Sequence, residues 1–150
     1  MGFFDKFRGK GSWAADPNLK TIAEKVTGDS DFSKLTLAVK EAGLAVLLGK
    51  KGPFTVFAPN DSAFIDLPRG ALEEILKDKA KLKAILSHHV VEGAMTFEDI
   101  MAKTSVMAMD QKEIAVDAKG LLKVGGAKII HGNIKCRNGY VHIVDKVLIP

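Results

Sequence analysis

Four histidines and one cysteine are the side chains of this sequence best suited to metal binding or nucleophilic chemistry. His88 and His89 are adjacent, and neighbouring side chains of a strand point to opposite faces, so the pair cannot chelate one ion. A zinc site needs three or four converging ligands. His131 and His142 are isolated, and Cys136 has no partner at a metal-ligand spacing. The sequence therefore predicts structural histidines and no metal site.

Nucleophilic catalysis and phosphate binding lack their usual motifs in this chain. Cations lower the pKa of a nearby thiol. In a strand, however, Lys135 and Arg137 point away from Cys136, which predicts a half-buried or surface thiol without a role. No G-x-S-x-G elbow occurs, and the loop at residues 49–52 lacks both the Walker spacing and the Ser or Thr that follows it. The residues therefore predict a protein that is not an enzyme.

The composition is typical of a single globular domain. Hydrophobic residues make up 47% and charged residues 27% of 150 positions, which allows a sizeable core, and a single cysteine excludes an internal disulfide. The net charge of +4 is too small for the dense basic stripe of a nucleic-acid binder. No run approaches the about 20 apolar residues of a membrane-spanning helix. We therefore expect neither a nucleic-acid partner nor a transmembrane segment.

The chain divides into a flexible tail over residues 1–15 and one domain over residues 16–150. Phe3, Phe4 and Phe7 of the tail can form an apolar face beside cations. Two interpretations of this face stay open: contact with a membrane surface, or a disordered leader whose rings rest on the domain. Asp16-Pro17 offers a cap and a first-turn proline, which predicts the start of a helix.

One stretch, from Gly52 to Phe64, must position the rest of the domain. Phe54 and Val56 alternate with Thr55 and Phe57, a pattern that suits a strand buried on both faces. A proline ends the strand, and the next residues offer an N-cap and a first-turn acid. The residues assigned to this structural motif are Phe54, Val56, Phe57, Pro59, Asn60, Asp61 and Phe64.

Helical spacing dominates the first half of the chain, and a period of two dominates the second. Helices are predicted to end at Gly28 and Gly43, to recur over residues 72–76 and 82–86, and to begin again at a capping box on Thr96. Short strands are predicted over 88–91 and from Ser105 onwards, with turns at 132–133 and 138–139 and a last strand over 147–149. Helices followed by antiparallel strands indicate an α+β fold.

Three segments resemble signature segments of the fasciclin (FAS1) domain family. They are GPFTVFAPNDSAF (52–64), LKAILSHHVVEG (82–93) and NGYVHIVDKVLIP (138–150), in the family's order and spacing. The resemblance covers residues from about 17 to 150 and is closest to bacterial one-domain members. It implies a wedge of about seven strands packed beside a layer of helices, with no catalysis and no cofactor.

The resemblance also points to candidate interaction residues. The family's Tyr-His pair falls on His88-His89, and an Asp-Ile pair associated with integrin binding in animal members falls on Asn133-Ile134. Losing that carboxylate removes the group that a receptor's metal ion would coordinate, which argues against integrin-type binding. In the last motif His142 and Asp145 match the family. Two roles stay open for them: contact with a partner, or a structural role in which Asp145 accepts hydrogen bonds that stabilise the last turn. The candidates are His88, His89, Asn133, Ile134, His142 and Asp145.

The resemblance implies a non-enzymatic module of cell adhesion or surface contact, with a protein or matrix polysaccharide as partner. We expect a monomer, or a weak homodimer. Family members are mostly secreted, periplasmic or surface-attached, whereas residues 1–10 show no secretory signal, so a cytoplasmic location is the alternative. A second functional hypothesis is a small-ligand or lipid-binding module, since methionines suit adaptable surfaces. Its apolar groove is assigned to Phe54, Phe57, Met95, Phe97 and Met101.

Overall fold

Residues 19–44, 53–65 and 70–148 are described by the computed structural model of the chain, and for Leu72 only the backbone is described. The predicted tail over residues 1–15 and the loop at 49–52 lie outside these residues. The domain boundary at residue 16 therefore stays a prediction.

The described residues form six α-helices and seven strands. The helices are α1 (Ile22–Thr27), α2 (Ser33–Ala42, after a 3₁₀ turn at Ser30–Phe32), α3 (Asp61–Ile65), α4 (Ala71–Lys77), α5 (Lys79–Ser87) and α6 (Phe97–Met101). The strands are β1 (Phe54–Pro59), β2 (Val90–Glu92), β3 (Ser105–Met107), β4 (Glu113–Asp117), β5 (Lys123–Val124), β6 (Ala127–Cys136) and β7 (Gly139–Val144). No helix among them is long and apolar enough to cross a bilayer.

The strands form one sheet in the order β2-β1-β7-β6-β5-β4-β3. Strands β1 and β7 are parallel, and every other neighbouring pair is antiparallel. The predicted α+β class, with seven strands beside helices, is confirmed. The order places β2 and β3 at the two edges of the sheet and β1 one position inside the first edge.

Strand β1 separates two cores. It pairs with β2 on one edge and with β7 on the other, and all six of its residues are buried. Phe54, Val56 and Ala58 contact a helix core, built with buried residues of α1, α2 and α5, which also includes Phe64. Phe57 contacts a wedge core, formed mainly by buried residues between 91 and 129. The prediction of a strand buried on both faces is confirmed.

The turn from β1 into α3 follows the predicted capping. Asn60 Oδ1 accepts a hydrogen bond from the backbone N–H of Ala63 at 3.0 Å, as an N-cap does. The Asp61 carboxylate accepts the Ser33 hydroxyl at 2.6 Å and the Lys34 N–H at 2.9 Å. Asp61 therefore also ties the start of α2 to the end of β1.

The predicted hairpin at Asn138-Gly139 joins β6 to β7 and is confirmed. Gly139 has a φ of 151°, and a Cβ at this position would overlap the carbonyl oxygen of Phe54 on β1. Asn138 Oδ1 accepts the Ile22 N–H at 2.8 Å, and the Asn138 carbonyl accepts the Phe54 N–H at 2.9 Å. The hairpin thus connects α1, β1 and β7.

Four local predictions are wrong. The helix that ends at Gly28 does not begin at Asp16-Pro17: it begins at Ile22, because Thr21 forms a capping box with Glu24, and residues 19 and 20 are not helical.

The strand predicted over 88–91 is present only from Val90, as β2. His88 and His89 form a turn after α5 instead, because the His89 N–H donates to the Leu86 carbonyl at 3.0 Å and continues the bonding of the helix. The Gly132-Asn133 turn is instead an irregularity within β6, where Asn133 has a φ of 59° and the strand continues. The segment at 147–148 follows β7 outside any strand.

Candidate functional site

His89 is buried in the turn after α5 and links two distant segments. Its Nδ1–H donates to the Ile85 carbonyl at 2.8 Å, and its Nε2 accepts the backbone N–H of Leu148 at 2.8 Å. These partners require a neutral ring with its proton on Nδ1. Burial lowers the pKa of His89 to about 4. The neutral side chain therefore connects α5 to the segment after β7 through two hydrogen bonds.

His142 also connects distant segments through two hydrogen bonds, but with its proton on Nε2. Its Nε2–H donates to the Met95 carbonyl at 2.9 Å, and its Nδ1 accepts the backbone N–H of Asn133 at 3.2 Å. The ring is fully buried, and burial lowers its pKa. His142 thus joins β7 to the loop before α6 and to the irregular part of β6.

His88 lies next to His89 in the chain but contacts a different segment. Its Nδ1 lies 3.0 Å from a carboxylate oxygen of Asp110, and the two side chains are only 7% and 10% exposed. Asp110 also accepts the Lys112 N–H at 3.0 Å. The His88 imidazole therefore connects the turn after α5 with the loop after β3.

Asn133 is exposed, but its side chain is engaged. Its Oδ1 accepts the Phe97 N–H at 2.7 Å, and its Nδ2 lies 3.4 Å from Glu98 Oε1. Phe97 is the first residue of α6, so the amide satisfies a donor that has no partner within the helix. The Asn133 oxygen offers the same acceptor that an aspartate at this position would offer.

Ile134 and Asp145 are half-buried and also serve the fold. Ile134 packs against the helix core. Asp145 Oδ1 accepts the Lys128 N–H at 2.8 Å, and the Asp145 N–H donates to the Lys128 carbonyl at 3.1 Å. The hydrogen bonds expected of Asp145 are present, and they tie the segment after β7 to the beginning of β6.

The six predicted interaction residues are dispersed over several internal contacts. The three histidines among them are buried, and each of the six contacts another part of the fold. Their role in binding a partner stays a prediction.

The described residues hold no cluster suited to a metal ion: no three His, Cys, Asp or Glu side chains among them converge as ligands. Cys136 is 2% exposed, which corrects the predicted half-buried or surface placement. Burial raises the pKa of its thiol to about 11. At neutral pH this thiol is protonated, whereas the thiolate is the nucleophile.

The apolar groove predicted from five residues is wrong. Phe54 and Phe57 are buried in different cores, because successive side chains of β1 point to opposite faces. Phe97 packs on the wedge core, and Met101 is exposed on α6. Met95 is the member of this set that lines the cleft described next.

An open cleft of about 440 Å³ lies between the two edge strands, β2 and β3. Its buried lining belongs to the wedge core and consists of Val91, Met95, Val106 and Ala108. More exposed residues at its rim are Glu92, Lys103, Ser105, Met107 and Gln111. The cleft combines an apolar floor with a polar, charged rim.

The two edges meet at one end of this cleft. The Met109 N–H donates to the Val90 carbonyl at 2.8 Å, and the cleft opens beyond this bond. The twist of the sheet brings its outer strands round towards each other. The methionines at 107 and 109 were the available sequence signal for this surface, but no local pattern shows which strands become the edges.

A model of the fasciclin domain matches residues 30–150 of the chain. Two proteins of Synechocystis sp. are similar over most of their own length. Protein sll1483 is 38% identical over 142 residues, covering 93% of this chain and 78% of that protein. Uncharacterized protein sll1735 is 36% identical over 131 residues, covering 87% of this chain and 98% of that protein.

Larger animal proteins match over a fraction of their length. Human periostin is 32% identical over 132 residues, which is 87% of this chain and 16% of periostin. Among solved structures, a FAS1 domain pair from the insect cell adhesion molecule Fasciclin I aligns with a TM-score of 0.53 and 22% identity. That alignment covers 84% of this chain and 43% of the domain pair, and it shows the fold.

Proposed function

The chain belongs to the fasciclin family, and on that premise we propose that it is a non-enzymatic module that attaches a cell to a surface or matrix partner. The observation that carries the proposal is the state of four of the five side chains best suited to chemistry; the fifth, His131, is exposed on β6. His88, His89 and His142 are buried and hydrogen-bonded, and the Cys136 thiol is buried with a raised pKa. None of the four is available for proton transfer or nucleophilic attack on a substrate.

Two further observations support adhesion. The structural neighbour comes from an insect cell adhesion molecule, and the present chain has the same fold. The cleft between β2 and β3 offers a surface in which a polar rim surrounds an apolar floor, and such patches mark interaction sites. The partner is a protein or a matrix polysaccharide.

Bead retention tests this proposal. Beads coated with the purified chain should be retained on cells of the source species or on their extracted matrix polysaccharide, more than uncoated beads. Beads coated with the same chain after denaturation are the control for non-specific adsorption. If the folded chain is retained on neither surface, the proposal is wrong.

A second candidate function is the binding of a small apolar molecule. The floor of the cleft supports it, because Val91, Met95, Val106 and Ala108 are all apolar. Native mass spectrometry of the chain purified without detergent should then show a bound apolar species. A mass equal to that of the chain alone would argue strongly against this function.

A further inference from the structure

Strand β2 directs part of its backbone into the cleft. In an antiparallel pair, alternate residues bond to the neighbouring strand and the others turn their N–H and C=O away. The Phe57 N–H donates to the His89 carbonyl at 2.9 Å, and the Gly93 N–H donates to the Pro53 carbonyl at 2.9 Å. Residues 89, 91 and 93 therefore face β1. The backbone groups of Val90 and Glu92 face the cleft.

Strand β3 does the same from the other side. The Val116 N–H donates to the Thr104 carbonyl at 2.9 Å, and the Ala108 N–H donates to the Lys112 carbonyl at 3.0 Å. Residues 104, 106 and 108 thus face β4. The backbone groups of Ser105 and Met107 point away from β4, into the cleft.

The two edges are in register with each other. The bond from Met109 to Val90 joins an outward position of one edge to an outward position of the other. Of the six neighbouring pairs, β1–β7 is parallel and the other five are antiparallel, so β2 and β3 run in opposite directions. Beyond this single bond, the outward groups of Glu92, Ser105 and Met107 find no partner in the described part of the chain.

We propose that the cleft binds an extended segment of a partner protein, which adds as a strand between β2 and β3. This inference rests on the proposed function and names the class of its partner. The added strand would be antiparallel to one edge and parallel to the other, and its N–H and C=O groups would satisfy those of Glu92, Ser105 and Met107. Added strands of this kind obtain affinity from main-chain bonds and specificity from alternate side chains.

The charges and the apolar floor of the cleft indicate which segment would fit. Glu92 and Lys103 lie on opposite sides of the cleft, and within the described residues neither makes an ion pair. The segment should carry a basic side chain towards Glu92 and an acidic one towards Lys103. Its alternate side chains should be apolar, since they would rest on Val91, Met95 and Val106.

Other occupants fit this geometry less well. An apolar molecule would cover the outward backbone groups of Glu92, Ser105 and Met107 without bonding to them, and unsatisfied buried groups weaken binding. A second copy of the chain would have to insert a strand that is free on both edges. Each of the seven strands formed by the described residues is already paired along at least one edge.

Selection from a phage-displayed library of random nine-residue peptides tests the proposal. The immobilised full chain should enrich peptides with alternating apolar residues, one basic residue and one acidic residue. Amide hydrogen exchange with a selected peptide bound should slow at Glu92, Ser105 and Met107. Enrichment of no peptide, or slowed exchange elsewhere only, would overturn the proposal.

Two variants locate the binding. Met107→Pro removes the outward N–H and should weaken the selected peptides about tenfold, the effect of losing one good hydrogen bond. Met107→Thr keeps that N–H and should lose less affinity for the selected peptides. Ala118→Pro, in the exposed loop after β4, controls for the proline itself and should bind like the unmodified chain. Equal binding by all four proteins would overturn the proposal.

Glu92→Lys provides a second probe that leaves the backbone unchanged. It should weaken those selected peptides whose basic residue faces Glu92. A bound apolar species in native mass spectrometry, or a dimer in light scattering that Met107→Pro abolishes, would assign the cleft to another occupant and overturn the proposal.

The bead assay separates this inference from the function on which it rests. If beads coated with Met107→Pro are retained as well as those coated with the unmodified chain, adhesion stands and the strand site is wrong. If peptides bind in the cleft but the unmodified chain is retained on no surface, the strand site stands and adhesion is wrong.

Discussion

The centre of the sheet and its two edges differ in how fully their strands are paired and buried. Strand β1 is paired along both edges and buried on both faces. Strands β2 and β3 are three residues long, and each is paired along one edge. At the centre β1 has a strand partner on each side, whereas at the edges alternate backbone groups face a cleft.

This difference separates the parallel pair at the centre from the cleft that we propose as the binding site. The first and last signature segments supply β1 and β7, the parallel pair in which Gly139 and Phe54 lie against each other. Met107 and Lys103, on the β3 side of the cleft rim, lie outside all three segments, whereas Glu92 and the rest of β2 belong to the second segment. Changes at the centre should therefore cost stability, and changes at the edges should cost binding.

The largest loss is expected at the centre. Phe57→Ala should lower the free energy of unfolding by about 3–5 kcal/mol, because it removes a fully buried ring that contacts the wedge core. Leu121→Ala, at a side chain that is 64% exposed, is the control and should change stability by less than about 0.5 kcal/mol. Urea unfolding of both variants measures the contrast. Similar losses for both would contradict the assignment of β1 as the centre.

The buried histidines should make the fold sensitive to acid. The pKa of His89 falls from 6.5 in the unfolded chain to about 4 in the fold. The unfolded state therefore takes up a proton first as the pH drops. The contribution of neutral His89 to the free energy of unfolding is fully present above about pH 6.5. It is lost progressively as the pH falls towards about 4, by about 3 kcal/mol in total. His142, whose pKa is also lowered by burial, acts in the same direction.

The variant His89→Gln tests the assignment of this acid sensitivity. It removes one titrating ring, so its stability should be lower at pH 7 but should depend less on pH between 6.5 and 4. Thermal melts across this pH range report the slope. A slope as steep as that of the unmodified chain would show that other groups cause the loss.

A smaller loss is expected where β6 meets α6. Asn133→Gly removes the bond to the Phe97 N–H and should cost about 1 kcal/mol. Asn133→Ala should cost about 1 kcal/mol more, since the φ of 59° disfavours a residue with a Cβ. The two unfolding midpoints separate the hydrogen bond from the backbone strain. Equal stability of both variants would show that the positive φ is not a constraint here.

The smallest loss is expected at the edge. Met107→Pro should change the free energy of unfolding by less than about 1 kcal/mol, because the N–H it removes does not bond to β4. Circular dichroism melts give the value. A loss as large as that of Phe57→Ala would place this N–H inside the sheet and erase the contrast between centre and edge.

Local chemistry explains which predictions are confirmed. The caps at Asn60 and Thr96 and the hairpin at Asn138-Gly139 depend on contacts within a few residues, so their sequence patterns are sufficient. The prediction of a strand at His88-His89 is wrong, because the hydrogen bonds of α5 continue into these two residues. A run of apolar and aromatic residues cannot distinguish the end of a buried helix from a strand.

The sequence by itself determined the α+β class, the strand β1 with its capped exit, and membership of the fasciclin family, because the patterns that indicate them each lie within short continuous segments. The tertiary structure alone decided what those residues contact. Only the order of the strands shows that His89 reaches Leu148, that Phe54 and Phe57 enter different cores, and that β2 and β3 leave a cleft between them. These contacts join positions far apart in the chain, and the pairing and twist of the whole sheet determine them.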